Sequence, residues 1–502
     1  MPEVCRWVID GVLAAESYIS IGSGIKKEGL IERGPNRTAQ PFVDIVARDG
    51  NGNPYIPGTA LKGSISSWLK RRQKNSFGDY VSLFGSSDRS GDFVFQNAYL
   101  DELGPGSHGS SKFTMTIKPR VALNRDTKTA SDAMLAHREY VDPKTRFKVR
   151  IIGSFRVKDG RDGQKEVDKL LGLLEKYNDK KDRITLGSGS GSGAGRVTWE
   201  CTSVKMAGKA EISAWLEAAG KGKESCWQDH ASVYDFRNAS KDSINGGDTQ
   251  IGVFNLKIEF NGQFLVKDAA KSKKENGENI ADSEKEPDYS PRLTVDGKVL
   301  LPGTSFLGAI RSQAERILRT ISGDPAKAAC YVTSKDSKKK CPPVKSKSDL
   351  EKLCVACQIF GASGWKSPVS ATDFISEKIA STRVQDFVAI DRFTGGGVEK
   401  KKFNIRYAYK PVMIGSIILD VERLKLVPAG TGAQALMSLL FRDILEGDIT
   451  FGFGASKGYG QCKAKITQDS TAAKEWIDNI AEKNEALKTS FESLDVLLRA
   501  KC

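Results

Sequence analysis

Four cysteines in the second half of the chain have the spacing of a metal site. Cys330 and Cys341 precede a Cys-x-x-Cys pair formed by Cys354 and Cys357. Four thiolates typically close a tetrahedral structural zinc site, which leaves no coordination position for catalysis. The segments between these cysteines are too polar to form a core, so a bound metal would stabilise them. The sequence therefore predicts structural Zn²⁺ in an insert at about residues 325–360, with four ordinary thiols as the alternative.

Charge and composition narrow the class of protein that carries this insert. The chain has 502 residues, with 77 Lys plus Arg, 62 Asp plus Glu and a net charge of +15. So basic a protein favours a polyanionic partner, most simply a nucleic acid. Its nine cysteines, an odd number, argue against a disulfide framework. Because it has no apolar run of ~18 residues and its N-terminal stretch is charged, we expect a cytoplasmic protein that does not bind membranes.

The chain matches itself in four short motifs that recur in the same order. The pairs are Pro57-Gly58-Thr59 with Pro302-Gly303-Thr304, Leu83-Phe84-Gly85 with Ile359-Phe360-Gly361, Val121-Ala122-Leu123-Asn124-Arg125 with Val388-Ala389-Ile390-Asp391-Arg392, and Gly193-Ala194-Gly195 with Gly458-Tyr459-Gly460. The largest jump in their separation falls where the cysteine insert lies. Because four ordered matches are hard to obtain by chance, the sequence predicts a duplicated domain.

Each copy has the pattern of strand, Pro-Gly turn, helix, irregular middle with β-hairpins, helix, glycine-rich loop and strand. This order fits a βαββαβ plan, the ferredoxin-like arrangement shared with RNA-recognition modules. We therefore expect an α+β protein with two tandem ferredoxin-like (RRM-like) domains, β-hairpin insertions, and the zinc-binding insert in the second domain. The expected boundaries are residues 1–204 for the first domain, 205–248 for a bridge, 249–469 for the second domain and 470–502 for a C-terminal helix.

Much of the glycine lies in two loops, residues 186–196 and 451–460, each followed by a predicted strand. Glycine lets backbone N–H groups turn toward an anion and approach it closely. A dinucleotide-binding fingerprint does not fit, because a strand follows where a helix is required. We expect phosphate contacts in these loops, although a flexible linker is an alternative for the first. The residues expected to make them are Gly193, Gly195, Arg196, Lys457, Gly458 and Gly460.

These motifs together resemble the RAMP superfamily. The segments that carry the resemblance are PYIPGTALKG and LLPGTSFLG, LFG and IFG, VALNRDT and VAIDRFT, the terminal glycine-rich loops, and CVACQIFGASGW. Within the superfamily, the chain is similar to backbone subunits of type III CRISPR effector complexes, as a fused double copy of the type III-D-like kind. The resemblance covers nearly the whole chain, apart from the bridge and the C-terminal helix.

The resemblance implies that each copy grips a CRISPR guide RNA (crRNA) by its backbone and presents single-stranded target RNA, within a ribonucleoprotein of several effector subunits. Residues 120–147 and 383–410 mix basic, apolar and aromatic side chains, as surfaces that contact phosphates and stack on bases do. A hairpin with solvated charges is the alternative for each. Outside the glycine-rich loops, the residues expected to contact RNA are Lys62, Arg125, Arg311 and Arg392.

The resemblance also implies endonucleolytic cleavage of the target at two sites, through an aspartate shortly before each Pro-Gly turn. The expected residues are Asp44 and Asp288, with Asp49 as an alternative in the first copy. Mg²⁺ or Mn²⁺ would assist attack of the RNA 2′-OH on the adjacent phosphate. Asp49 and Asp296 each precede a glycine, as β-turn residues often do. A non-catalytic scaffold subunit and a precursor-RNA processing endonuclease, which often uses His and Lys, remain alternatives.

The RNA that accompanies the purified complex tests this interpretation. We expect sequencing of that RNA to return uniform guides tagged with CRISPR-repeat sequence, because the resemblance implies that this subunit holds a guide RNA. Heterogeneous cellular RNA would contradict the resemblance.

Overall fold

The computed structural model describes most of the chain, and every structural statement below concerns that part. Arg125, the proposed C-terminal helix at 470–502 and most of the bridge at 205–248 lie outside it. The described residues are 4–28, 42–72, 80–85, 90–101, 113–123, 130–156, 163–179, 182–218, 232–234, 251–268, 287–294, 296–322, 328–331 and 340–469. They fall into two compact units, one drawn from Met1–Thr249 and one that contains Gln250–Cys502.

The first unit mixes strands and helices. Its elements are β1 (Val4–Ala15), β2 (Gly22–Lys27), β3 (Val43–Val46), α1 (Gly58–Arg72), α2 (Val81–Phe84), β4 (Phe93–Phe95), β5 (Tyr99–Leu100), β6 (Met115–Leu123), β7 (Ala130–Val141), β8 (Arg146–Arg156), α3 (Gly163–Glu175), β9 (Val197–Ala207), α4 (Lys209–Ala218) and β10 (Ser232–Val233). The larger sheet has the order β10-β9-β1-β8-β4, with β5 also beside β8, and a second sheet has the order β2-β3-β7-β6. Strand β9 thus runs past the boundary expected at 204, and β10 adds part of the bridge to this sheet.

The second unit is built in the same way. Its elements are β11 (Ile251–Phe260), β12 (Gln263–Phe264), β13 (Leu300–Leu301), α5 (Gly303–Ile321), α6 (Val355–Phe360), β14 (Val369–Ala371), β15 (Phe374–Ser376), β16 (Thr382–Ile390), β17 (Gly397–Tyr409), β18 (Val412–Asp420), α7 (Val421–Lys425), α8 (Gly430–Glu446) and β19 (Cys462–Asp469). The larger sheet has the order β13-β15-β18-β11-β19, with β14 also beside β18, and the smaller sheet has the order β12-β17-β16.

The first strand of each unit lies at the same place in its sheet. β1 pairs with β8 and β9, and β11 pairs with β18 and β19, all antiparallel. The pairing of β1 with β9 is interrupted between Asp10 and Gly11, and the pairing of β11 with β19 is interrupted between Asn255 and Leu256. The two interruptions are therefore separated by 245 residues, which is also the separation of the two Pro-Gly turns.

The Pro-Gly turns start the first long helix of each unit. The Gly58 N–H donates to Asn97 Oδ1 over 3.0 Å, and the Gly303 N–H donates to Asp373 Oδ1 over 2.8 Å. Each bond satisfies a backbone donor that the helix itself leaves unpaired. On α1, apolar residues lie at Leu61 and at the positions four and eight residues later, and this stripe is buried in the core beneath the sheet. Burying each such side chain contributes roughly 1.5–3 kcal/mol.

The two glycine-rich loops have the same backbone shape. Each contains a short 3₁₀ helix, at Ser190–Ser192 and at Ala455–Lys457. Positive φ angles occur in both loops at glycines 265 residues apart, which are Gly187 and Gly452, Gly189 and Gly454, Gly193 and Gly458, and Gly195 and Gly460. Left-handed backbone at these positions favours glycine.

The N–H groups of the second loop bond inside the protein. Those of Lys457, Gly458 and Gly460 donate to Gly454 O, Ala455 O and Gln263 O over 2.8, 3.2 and 2.9 Å. In the first loop the Gly195 N–H likewise donates to Tyr18 O over 2.8 Å. These bonds explain the glycines through the shape of the loops, and the expected phosphate contacts of the loops stay a prediction.

None of the helices within the described ranges has the length and apolar character that a membrane span requires.

The two glycines at the end of the second loop provide a matched test of its packing. A Cβ on Gly460 would lie 2.1 Å from Phe451 O, whereas a Cβ on Gly458 meets nothing within 4 Å, although φ is +80° at both. We expect Gly458→Ala to lower the free energy of unfolding by about 1–2 kcal/mol, from the left-handed backbone alone. Gly460→Ala should lower it by more, because the Phe451 carbonyl must also move. Thermal unfolding of the two variants measures this, and equal midpoints would contradict the close packing.

Candidate functional site

The four predicted cysteines form one cluster in the second unit. The Sγ atoms of Cys330, Cys341, Cys354 and Cys357 all lie within 4.8 Å of one another. Cys354 is the residue immediately before α6 and Cys357 lies in its first turn, so the helix presents both sulfurs on one side. A tetrahedral site with Zn–S bonds of ~2.3 Å places its sulfurs about 3.8 Å apart. The cluster therefore fits a zinc ion with little rearrangement.

Hydrogen bonds within the cluster favour a thiolate at Cys354, whereas those at Cys341 and Cys357 raise the pKa of the thiol. The Cys354 N–H donates to Cys341 Sγ over 3.2 Å, and the Cys330 N–H donates to Cys354 Sγ over 3.4 Å. Hydrogen bonds from the neighbouring thiols hold the pKa of Cys354 well below its ordinary value, and the bond from Cys330 has the largest effect. Deprotonated sulfur is the form that binds metal. Three of the four cysteines are buried, as expected for a structural site.

Helix α5 supports the cluster through charged side chains one and two turns apart. Arg311 donates to Cys357 Sγ over 3.1 Å, to Gly361 O over 3.2 Å and to Glu315 over 2.9 Å. Glu315 is 1% exposed and also pairs with Arg319, whose guanidinium donates to Cys330 O over 3.3 Å. This Arg–Glu–Arg row (Arg311, Glu315, Arg319) thus contacts the cluster at two of its cysteines.

Arg311 therefore has a place in the metal centre. Burial lowers its pKa, but the neighbouring charge of Cys357 and the hydrogen bond with Glu315 outweigh burial and raise the pKa above its ordinary value. Because each of its three guanidinium nitrogens already donates within the protein, Arg311 is well placed to support the cysteine cluster, and its contact with RNA stays a prediction. The sequence motifs did not indicate Glu315 and Arg319, although their i, i+4 spacing on a predicted helix is typical of an ion pair.

Strands β16 and β17 of the second unit form a long hairpin with an ordered tip. The Asp391 Oδ1 atom accepts the N–H groups of Phe393 and Thr394 over 2.8 and 2.9 Å. These two bonds hold the pKa of Asp391 below its ordinary value, and the bond from Thr394 has the larger effect. Phe393 is 99% exposed, and the predicted RNA contact Arg392 is also exposed beside it.

Near the base of this hairpin, four aromatic side chains form a continuous row with a lysine at either end. Their order is Phe387, Phe403, Tyr289 and Phe453, with neighbouring ring centroids 5.2, 5.9 and 5.8 Å apart. Lys457 lies 5.3 Å from the Phe387 centroid, and Lys267 lies 3.4 Å from the Tyr289 centroid. We call these six residues the aromatic row.

The lysines of the aromatic row differ in their surroundings. Lys457 is exposed, on the glycine-rich loop. Lys267 lies over both Tyr289 and Phe453, and its partial burial lowers its pKa to about 8. Cations held over aromatic faces in this way remain attracted to the ring while they meet an anion. The structure therefore brings one predicted residue, Lys457, together with a second lysine that the sequence did not indicate.

Asp288 directly precedes Tyr289 of the aromatic row, but its carboxylate bonds to the backbone of β17. Its carboxylate accepts the Asn404 N–H over 2.8 Å, while its own N–H donates to Asn404 Oδ1 over 2.8 Å. This reciprocal pair fastens the segment before the Pro-Gly turn to β17. Asp296, by contrast, lies in a turn where the Gly297 N–H donates to Thr294 O over 3.0 Å.

In the first unit, Asp44 lies in β3. Its carboxylate is 37% exposed and lies 3.6 Å from the Arg138 guanidinium on β7. Arg138 also donates to Ser188 Oγ, in the glycine-rich loop, over 2.8 Å. These three residues, which we call the acid site, combine a carboxylate with a cation that is suited to a phosphate.

The remaining predicted residues of the first unit have simpler surroundings. Asp49 accepts the N–H groups of Asn51 and Asn53, both over 2.9 Å, as an aspartate in a turn does. Lys62 lies half-buried near the start of α1. Arg196 follows the glycine-rich loop, and its N–H donates to Ser17 Oγ over 2.9 Å.

Substitution of Glu315 tests the support of the metal centre. Glu315→Gln leaves two partly buried arginines without the buried charge that they share, and breaking a buried ion pair costs about 3–5 kcal/mol. We expect the variant to lose zinc faster than wild type during dialysis against a chelator, with zinc measured by mass spectrometry. Glu422→Gln is the control, because Glu422 pairs with Lys425 at the surface, where such pairs contribute up to about 1 kcal/mol. Equal zinc loss in both variants would contradict the support of the cysteine cluster by the Arg–Glu–Arg row.

A family model described as the RAMP superfamily matches residues 13–198 and 237–463. A solved structure titled as type III-B Cmr-beta in the apo state, from cryo-EM, contains a chain with 14% identity and a TM-score of 0.29, covering 39% of this chain and 97% of that one. No curated protein matches this chain. Because the family model covers most of the chain in two stretches, the protein belongs to the RAMP superfamily.

Proposed function

We propose that this protein is a backbone subunit of a type III CRISPR effector complex, in which it binds guide RNA and presents target RNA for cleavage. Its two units are two copies of one ferredoxin-like domain, fused as in type III-D-like variants. Both units place their first strand between the same two neighbours and interrupt its pairing at the same point. Other subunits of the complex and the two RNA strands are its partners.

The aromatic row is the observation that carries RNA binding. Aromatic faces stack on unpaired bases and contribute about 1–3 kcal/mol per base, whatever the sequence. Lysines beside those faces contact the phosphates that join the bases. Four aromatic rings with a lysine at each end therefore suit a single RNA strand whose bases are separated from one another.

The hairpin tip suits a second kind of contact. Phe393 presents an apolar ring to solvent, and Arg392 lies next to it. An apolar side chain can enter between stacked bases, while an adjacent arginine contacts phosphate or stacks on a base. We propose that this tip wedges between base pairs of the guide–target duplex and displaces a nucleotide.

Cleavage in this proposal uses Asp44. The reaction is attack of the RNA 2′-OH on the adjacent phosphate, and Asp44 would hold Mg²⁺ or Mn²⁺, which supplies charge stabilisation at that phosphate. The half-exposed carboxylate of Asp44 and the nearby Arg138 support this assignment. Zinc in the cysteine cluster has a structural role only, because four thiolates complete its coordination.

A non-catalytic scaffold is the second candidate. The ion pair between Asp44 and Arg138 favours it, since a carboxylate that serves to orient a strand needs no further role. Incubation of the assembled complex with target RNA and Mg²⁺ or Mn²⁺ separates the two candidates. Cleavage that is lost in Asp44→Asn, with target binding retained, supports the nuclease. An uncut target in the wild-type complex supports the scaffold.

Lys457 provides the test of RNA binding. We expect Lys457→Gln to weaken RNA binding to a similar degree for all sequences, and to reduce the slope of log affinity against log salt by about 1, because one phosphate contact is lost. Filter binding or fluorescence anisotropy at several salt concentrations measures both effects.

Lys425→Gln is the matched control for that measurement. It removes the same charge from an exposed position on α7, where Lys425 pairs with Glu422. If the two variants change the affinity and the salt slope equally, the effect comes from net charge, and the aromatic row is not the RNA-binding surface.

A further inference from the structure

The acid site of the first unit and the aromatic row of the second occupy matched positions. Asp44 pairs in parallel register with Arg138, and Tyr289 pairs in parallel register with Ile405. Asp44 and Tyr289 are 245 residues apart, which is the separation of the two Pro-Gly turns. Arg138 and Ile405 are 267 residues apart, which is the separation of the two hairpins.

The third member of each site matches as well. Ser188 follows the first positive-φ glycine of its loop, and Phe453 follows the corresponding glycine 265 residues later. Ser188 accepts a hydrogen bond from Arg138, whereas the Phe453 ring lies 5.8 Å from that of Tyr289. Equivalent backbone therefore presents a carboxylate, a guanidinium and a hydroxyl in one unit, but two aromatic rings and an isoleucine in the other.

Asp288 does not restore the carboxylate to this position. By the same separation of 245 residues, Asp288 corresponds to Val43, one residue before Asp44. Successive residues of an extended segment point to opposite faces, so a shift of one residue changes the face. The Asp288 carboxylate is accordingly bonded to the Asn404 N–H, whereas Tyr289 packs in the aromatic row.

We propose that the two units divide the work, so that the first alone cuts RNA, with Arg138 as the positioning residue of Asp44, and the second binds RNA without cutting it. This inference rests on the proposed function. In the first unit the 2′-OH loses its proton to water, and its oxygen bonds to phosphorus. The phosphorus–5′-oxygen bond breaks, and the leaving oxygen takes a proton from water. The products are a 2′,3′-cyclic phosphate and a 5′-hydroxyl.

Arg138 acts in this scheme by orienting Asp44. It joins the carboxylate on β3 to the glycine-rich loop through Ser188, so both partners are fixed on regular or tightly closed backbone. A small displacement of a catalytic group lowers the rate by up to about 100-fold without a matching loss of binding. The position of the carboxylate therefore depends on a side chain that need not touch RNA.

Single-turnover cleavage by the assembled, guide-loaded complex tests the division of work. We expect one cut attributable to this subunit. Asp44→Asn should abolish it, while Asp288→Asn, which retains an oxygen for the Asn404 N–H, should leave the rate within about twofold of wild type. If Asp288→Asn removes a second cut, both units are nucleases and the inference is wrong, although the proposed function stands. If the wild-type complex binds the target but leaves it intact, the cleavage part of the proposed function fails, and the inference fails with it.

The role of Arg138 has its own readout. Arg138→Met should slow the cleavage step by about 10- to 100-fold with unchanged target affinity, and Arg138→Lys should recover part of the rate, because it restores a cation beside Asp44. Arg150→Met is the matched control, since Arg150 forms an ion pair with Asp10 on the larger sheet of the same unit. A loss of target affinity equal to the loss of rate in Arg138→Met, or an equal slowing in Arg150→Met, would contradict a positioning role.

Discussion

The candidate surfaces in both units depend on one backbone closure. At the start of each glycine-rich loop an N–H donates to the carbonyl of the last glycine, from Leu186 to Gly195 and from Phe451 to Gly460, over 2.8 and 3.1 Å. A loop held at both ends by main-chain bonds presents each of its side chains in a fixed direction. That is why the residue after the first bend faces the strand before the Pro-Gly turn in both units. The chemistry at that point then depends on which side chains the two copies carry.

The sequence allowed much of this to be predicted, since repeated motifs and cysteine spacing are local patterns. The cysteine cluster and the helices after both Pro-Gly turns lie where the motifs indicated. The face on which a side chain lies was harder to predict, because a shift of one residue reverses it. Asp44 and Asp288 have similar spacing to the turns, yet they occupy positions that differ by one residue. Arg311 could not be assigned to the metal centre, because its contact with Cys357 joins segments 46 residues apart.

The insert in the second unit is held by polar contacts as well as by apolar side chains such as Leu353 and Ile359, which join the core of that unit. The cysteine cluster and the Arg–Glu–Arg row place opposite charges in contact where water is largely excluded. Gln358, which is 1% exposed, adds hydrogen bonds to Leu353 O and from the Ala429 N–H. Polar contacts thereby join the insert to both long helices of its unit, through the ionic contacts on α5 and through the hydrogen bond that the Ala429 N–H, just before α8, donates to the Gln358 side chain. Such polar attachment specifies one orientation, which apolar packing alone does less strictly.

The capped tip of the β16–β17 hairpin has a consequence for the rate at which the proposed RNA strand would leave. Two hydrogen bonds to Asp391 hold the backbone of Phe393 and Thr394 before any ligand arrives. A segment that is already ordered loses little conformational freedom on association, so more of its contact energy is retained as affinity. Differences of this kind appear chiefly as slower dissociation. A short aspartate-capped turn therefore lengthens the lifetime of whatever the exposed aromatic ring contacts.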